Sequence, residues 1–243
     1  MKRDMKRYNR VARFYDMVES LMELTNFRRW RRTLFNFIEK EGENLLVLEI
    51  GAGTGKNLPF YPDFSFVAVD ISEKMLKRAV EKNKRYGKRV DFVIGDAEKL
   101  PFRDEAFDVV FSTFVFCSVD NPVNGLKEAY RVLKKGGKAY FLEHMLPENR
   151  VIQPFFHLLN PLTRLFGPEI NRRTDENIKK AGFRILKQYF LLGSVFRLIV
   201  ADKAFDSGDK TFHQLMKHSE PSDGSESRRF DLQHLLPLRL TVF

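Results

Sequence analysis

Apolar positions along the first forty residues repeat with the period of a helix. Val11, Phe14, Tyr15, Val18, Leu21 and Met22 share one stripe, and Phe27, Trp30, Leu34 and Ile38 share a second. Two amphipathic helices are predicted, joined near Thr25-Asn26. Beyond them, short apolar runs alternate with helical stretches. Strands are predicted over 45–50, 66–70, 90–94, 107–113 and 138–144, with helices over 73–84 and 121–133. Lys134-Lys135-Gly136-Gly137 reads as the stop of that last helix, cations followed by glycine. Such alternation implies a largely parallel sheet with helices on both faces.

After His144 the pattern changes. Ile152, Phe155, Phe156, Leu159, Leu162, Leu165 and Phe166 form an apolar face interrupted by Pro154 and Pro161. A helix over 175–181, ended by Gly182, leads to strands over 184–191 and 195–202, joined at Leu192-Gly193-Ser194 as a hairpin closing the sheet edge. The expected fold is α/β: a doubly wound, mostly parallel, seven-stranded Rossmann-like sheet with a C-terminal antiparallel hairpin. Its parts are N-terminal basic amphipathic helices (1–43), a ligand-binding α/β domain (44–203) and a polar, flexible tail (204–243). Within the domain, 145–170 is expected to cover the site as a substrate lid.

Composition narrows the class. The 243 residues suit one domain, and the single cysteine, Cys117, excludes an internal disulfide and a thiolate zinc site. His213, His218 and His234 have no recognised ligand spacing, so no metal is expected. The opening residues lack the apolar block of a signal peptide, and no apolar stretch is long enough to span a bilayer. A cytoplasmic protein is therefore expected. The net charge is +10, with eleven Lys/Arg against five Asp/Glu in residues 1–40. A solvated helix face accounts for that excess, and contact with an anionic membrane surface is the alternative.

The densest chemistry lies at Leu48-Glu49-Ile50-Gly51-Ala52-Gly53-Thr54-Gly55-Lys56-Asn57. A strand running into a glycine turn before a helix makes the nucleotide crevice of a doubly wound sheet. Glu49 would repel a dinucleotide's pyrophosphate but attract the ammonium and sulfonium of S-adenosylmethionine (SAM). The spacing is also Gly-x-Gly-x-Gly, not Gly-x-Gly-x-x-Gly. Both details favour SAM. Asp70, ending the second strand about twenty residues later, suits the ribose hydroxyls. Asp96 can accept from the adenine amine, with the next N–H, on Ala97, serving the ring; Ile71, Met75 and Leu100 can sandwich the base. His144, at the carboxyl end of the fifth strand, is the candidate base. A histidine that only hydrogen-bonds there is the structural alternative. Cys117, among Phe114, Val115, Phe116 and Val119, reads as a core residue.

These motifs resemble the class I SAM-dependent methyltransferases over about residues 8–203. The resemblance implies that Glu49, Gly51, Gly53, Gly55 and Asn57 surround the methionine part, Asp70 the ribose, and Asp96 with Ala97 the adenine. Ser112, Thr113 and Phe114 would open onto the sulfonium. The run from Tyr8 to Asp16 is similar to the start of quinone-biosynthesis and phosphatidylethanolamine methyltransferases, which implies that Tyr15 approaches the cofactor. Thr54-Gly55-Lys56-Asn57-Leu58-Pro59-Phe60-Tyr61-Pro62, Phe116-Cys117-Ser118-Val119 and Tyr140-Phe141-Leu142-Glu143-His144 together resemble the membrane-associated alkyl-thiol methyltransferases of animals. Those carry an apolar N-terminal anchor where this chain has basic helices. Together the residues predict methyl transfer to a small, lipophilic acceptor: a thiol, a lipid amine or a quinone precursor. The rival reading is a methyltransferase-like module that holds SAM, anionic lipid or RNA without turnover. RNA is disfavoured, because no aromatic-flanked Asn/Asp-Pro-Pro-Tyr run follows the fourth strand. Oligomeric state is open.

Overall fold

The computed structural model describes residues 26–166 and 169–203. The predicted helix over residues 11–22, Tyr15 and the tail lie outside them. Helix α1 (Arg28–Ile38) precedes β1 (Leu46–Ile50), β2 (Ser65–Asp70), α2 (Glu73–Tyr86), β3 (Val90–Ile94) and β4 (Phe107–Thr113). Then come α3 (Pro122–Val132), β5 (Leu133–His144), α4 (Gln153–Phe166), α5 (Thr174–Lys180), β6 (Arg184–Leu192) and β7 (Phe196–Asp202). The seven strands run in the order β3-β2-β1-β4-β5-β7-β6. The first five are parallel, while β7 is antiparallel to both β5 and β6. The expected Rossmann-like architecture and its terminal hairpin are borne out.

Burial on both faces explains the near-continuous apolar strands. In β1 all five residues are buried. Leu46, Leu48 and Ile50 face a core closed by Leu126 and Ala129 of α3 and Ile178 of α5. Val47 faces the opposite core, closed by Trp30, Leu34 and Phe35 of α1 and Leu76 of α2. Helix ends are set locally. Ser72 caps α2 through its hydroxyl, which accepts from the Met75 amide at 3.4 Å, and Gly87 ends it at φ 60°. Asn121 caps α3 by accepting from the Asn124 amide, and Pro122 begins its first turn.

One expectation changes. The run Lys134-Lys135-Gly136-Gly137 is not a helix tail but the opening of β5, bulged against β4 between Phe107 and Val109. Lys134 donates to Asp108 at 2.5 Å, and the Gly136 amide donates to the Lys203 carbonyl at 3.0 Å. Tertiary partners for the backbone thus override a local helix stop. The hairpin does close the sheet, but β7 inserts beside β5 and leaves β6 at the edge.

The chain leaves β1 towards β2 and β3, then returns to lay β4 on the other side of β1. Strand order therefore reverses between β1 and β4, and an open sheet binds ligands outside the carboxyl ends at that point. No described helix is long and apolar enough to cross a membrane.

Candidate active site

A cavity occupies this crevice. Its walls include Gly51, Ala52 and Gly53 after β1, Asp70 and Ile71 after β2, Asp96 and Ala97 after β3, and Thr113 to Val115 after β4. Arg31 of α1, Asn57, Met75 and Val119 line it too, with Lys56 and Glu98 among its charged residues. Gly51 has φ 75°, and a Cβ there would sit 2.4 Å from the Val115 side chain, so only glycine keeps this wall open.

Asp70 organises the turn. One carboxylate oxygen accepts from the Gly53 amide and the other from the Ser72 amide, both at 2.8 Å. A carboxylate offers about four acceptor positions, so lone pairs remain for a diol in the cavity. Burial pushes its pKa up, opposed by these amides. Asp96 uses Oδ1 to accept from the Glu98 amide at 2.9 Å. Ile71, Met75, Ala97 and Val119 bring apolar surface to the same cavity.

Glu49 stands behind the cavity wall and is 1% exposed. Its oxygens accept from the Asn57 side-chain amide and the Tyr61 hydroxyl. Burial raises its pKa, against those bonds and the nearby Arg31 charge. Asn57 in turn donates to Thr113 Oγ1 at 3.0 Å and accepts from Arg31 at 2.6 Å; Arg31 also donates to Thr113 at 2.9 Å. Helix α1, β1, the glycine turn and β4 are thereby tied at one point. Ser112 points the other way: its hydroxyl donates to Glu143 Oε1 at 2.8 Å. Gly55 also stands off the cavity, where a Cβ would meet Leu58 at 2.6 Å.

The residues read from the sequence therefore separate. Gly51, Gly53, Asn57, Asp70, Ile71, Met75, Asp96, Ala97 and Thr113 line one cavity. Glu49, Gly55 and Ser112 support it from behind, and Leu100 is buried in the core. Arg31 is the main omission. It is one of the cations in residues 1–40 that the sequence alone assigns to a solvated helix face, yet only 2% of it is exposed. The signal was its place on the stripe of Phe27, Trp30, Leu34, Phe35 and Ile38, where the period demands an inward side chain. Glu143 was missed as well. Wholly buried, its Oε1 also accepts from the Val115 and Phe116 amides, holding the turn after β4, while Oε2 has no hydrogen-bond partner. Burial pushes its pKa up to about 7. Phe114 begins that turn with φ 59°.

His144 lies outside the cavity wall. Its ring packs 5.1 Å from Phe196 and 6.3 Å from Phe156, and buried Nδ1 has no partner. Burial pulls its pKa down to about 4, so the ring is neutral at physiological pH. Phe196 also meets Phe27, Trp30 and the cavity-lining Phe114, at centroid distances of 5.1–6.0 Å. A row of packed aromatic rings therefore joins the cavity rim to α4. Cys117 is buried with its thiol pushed up to about 12 and is no nucleophile. Among the described residues, no cluster of His, Cys, Asp or Glu could hold a metal.

A crevice at a topological switch point with this glycine turn defines a nucleotide-binding enzyme of the Rossmann-like class. The methyltransferase domain family matches residues 48–141. A demethylmenaquinone methyltransferase of Renibacterium salmoninarum is 36% identical over 173 residues, covering 70% of this chain and 69% of that protein. That of Protochlamydia amoebophila is 28% identical over 225 residues, covering 81% and 93%. In fold, the chain resembles a SAM-dependent methyltransferase of Aquifex aeolicus (TM-score 0.57, 21% identity, 76% and 97% covered). The chain belongs to the class I SAM-dependent methyltransferases. The residues of its cavity fit that donor: Arg31, Asn57 and Thr113 bring polar groups, Asp70 and Asp96 bring carboxylates, and Ile71, Met75, Ala97 and Val119 bring apolar surface.

Proposed function

We propose that this enzyme methylates a flat, lipophilic acceptor of the quinol class. The observation that carries the reading is the row of packed rings Phe114–Phe196–His144–Phe156, which joins the cofactor cavity to α4 without a charged side chain among its members. The names of the relatives support the same class of acceptor. A thiol or lipid amine needs no such row of rings.

SAM, when bound, supplies an electrophilic methyl group on a sulfonium. Asp70 takes the ribose hydroxyls on its remaining lone pairs, and Asp96 with the Ala97 amide reads the adenine edge. Ile71 and Met75 flank the base. The methionine part lies along Gly51 and Gly53 beside Arg31, Asn57 and Thr113. Glu49 holds Asn57 in place, and its carboxylate also offsets the Arg31 charge. The inward side of α4, at Phe156 and Leu159, covers the acceptor.

An electron pair of the hydroxyl-bearing ring forms the new carbon–methyl bond while the sulfur–methyl bond breaks with its pair on sulfur, and the proton on that carbon then passes to the ring oxygen, which restores the aromatic quinol. His144 is neutral and accepts a hydrogen bond from the acceptor hydroxyl. With a pKa near 4 it orients that group but is too weak a base to store its proton, which leaves to water. Alignment of the three centres supplies most of the acceleration, on the order of 7–11 kcal/mol. The test is to offer purified protein methyl-labelled SAM with a short-chain reduced demethylmenaquinone, an alkyl thiol or a lipid amine. Label in the naphthoquinol alone is expected; label in the thiol or amine instead overturns the reading. His144→Ala should lower kcat about tenfold, roughly the worth of one oriented hydrogen bond, without changing SAM affinity.

A further inference from the structure

Helix α4 is apolar on two sides. Phe156 and Leu159 turn partly inward, with Phe156 against His144. The opposite stripe, Val151, Phe155, Leu158 and Leu162, is 85, 59, 76 and 57% exposed. These positions recur at helical spacing, so the exposed residues form one strip and not scattered contacts. A helix apolar on both sides is at home only in a core or against lipid. No aspartate or glutamate occurs between Arg150 and Arg164, and exposed arginines stand at both ends. Arg164 is paired with Glu169 at 3.3 Å.

The neighbourhood carries the same character. The lead-in to α4 is pinned to the β6–β7 hairpin: the Glu148 amide donates to Ser194 Oγ at 2.9 Å and the Met145 amide to the Val195 carbonyl at 2.9 Å. At that end of the hairpin Phe190 and Leu192 are exposed. At the same rim begins α1, where Phe27 touches Phe196, and its next two residues, Arg28 and Arg29, are exposed. An apolar strip bordered by cations suits the boundary between acyl chains and anionic head groups, with the arginine heads reaching the phosphates. A second copy is a poor occupant, because two such faces would set arginines against arginines.

We infer that α4 docks this enzyme on an anionic bilayer, with Leu158 and Leu162 in the lipid, so that an acceptor dissolved there meets the aromatic row beneath α4 without crossing water. The route for the acceptor rests on the lipophilic-acceptor reading; the docking itself does not. The experiment is co-sedimentation of the full chain with vesicles of phosphatidylcholine, with and without phosphatidylglycerol, comparing wild type with Leu158→Ser/Leu162→Ser. Wild type is expected to bind the anionic vesicles, and the double variant at least about tenfold more weakly. The variant should turn over a short-chain, water-soluble acceptor at the wild-type rate and a vesicle-embedded long-chain acceptor at least about tenfold more slowly. Absence of vesicle binding, equal binding by the variant, or a wild-type dimer that the variant dissociates each overturns the docking. If quinols are not substrates but the vesicle result holds, only the acceptor reading falls.

Discussion

Glu143 and His144 are neighbours on β5 whose pKa values are displaced in ways that oppose each other in folding. Burial raises Glu143 from 4.5 to about 7 and lowers His144 from 6.5 to about 4. For Glu143 the folded state binds its proton more tightly than the unfolded state. Its contribution is therefore full below 4.5 and lost as pH rises through 7, amounting to about 2 kcal/mol between pH 5 and 7.5. For His144 the unfolded state takes the proton first. Its contribution is present above 6.5 and lost as pH falls towards 4, again by about 2 kcal/mol over the same interval. Adjacent strand residues point to opposite faces, so the two titrate independently. In the wild type these slopes cancel. Glu143→Gln should then gain about 2 kcal/mol of stability from pH 5 to 7.5, and His144→Phe should lose about 2, each relative to the wild-type profile. Glu49 and Asp70 are also raised, and add a common falling slope to all three proteins. The assay is urea unfolding at both pH values, and the difference between the variants, about 4 kcal/mol, is the quantity that matters. Parallel profiles for the two variants would falsify this account of the buried pair.

Other perturbations probe the cavity. Asp70→Ala should weaken SAM binding about hundredfold by calorimetry, since two charged hydrogen bonds to a diol are lost; near-native affinity would remove Asp70 from the site. Gly51→Ala drives a Cβ into Val115 at φ 75°; it should lower the melting temperature and abolish SAM binding together, and a normal protein would mean that the turn relaxes freely. Arg31→Leu strips Asn57 and Thr113 of their shared donor and leaves the Glu49 charge unopposed. It should cost about 3 kcal/mol in denaturant unfolding, a loss that Arg31→Lys recovers only in part because one ammonium replaces a planar fork. Equal stability of the leucine variant would place Arg31 outside the network.

Much of the fold was legible because it is written in local patterns. A parallel sheet buried on both faces leaves short apolar runs between helical stretches, and the order of strand, glycine turn, Asp70 and Asp96 follows from chain direction alone. The wall-lining residues of the cavity were found this way, since each follows the carboxyl end of its own strand. Local rules failed where a partner far along the chain outweighed them. Lys134 to Gly137 have the composition of a helix stop, yet Asp108 and Lys203 supply hydrogen bonds that make them strand.

Charge was the least legible property. The sequence by itself determined a doubly wound α/β enzyme with a SAM-type glycine turn, because spacing and residue type suffice for backbone conformation and acceptor chemistry. Only the tertiary structure decided what each ionisable group faces. Glu49, read as an open ligand for the cofactor, is enclosed by Asn57 and Tyr61; Arg31, read as surface charge, is buried beside it; His144, read as a base, is made a weak one by the rings around it. Solvation and partner distance set those properties, and both depend on residues brought together from distant parts of the chain.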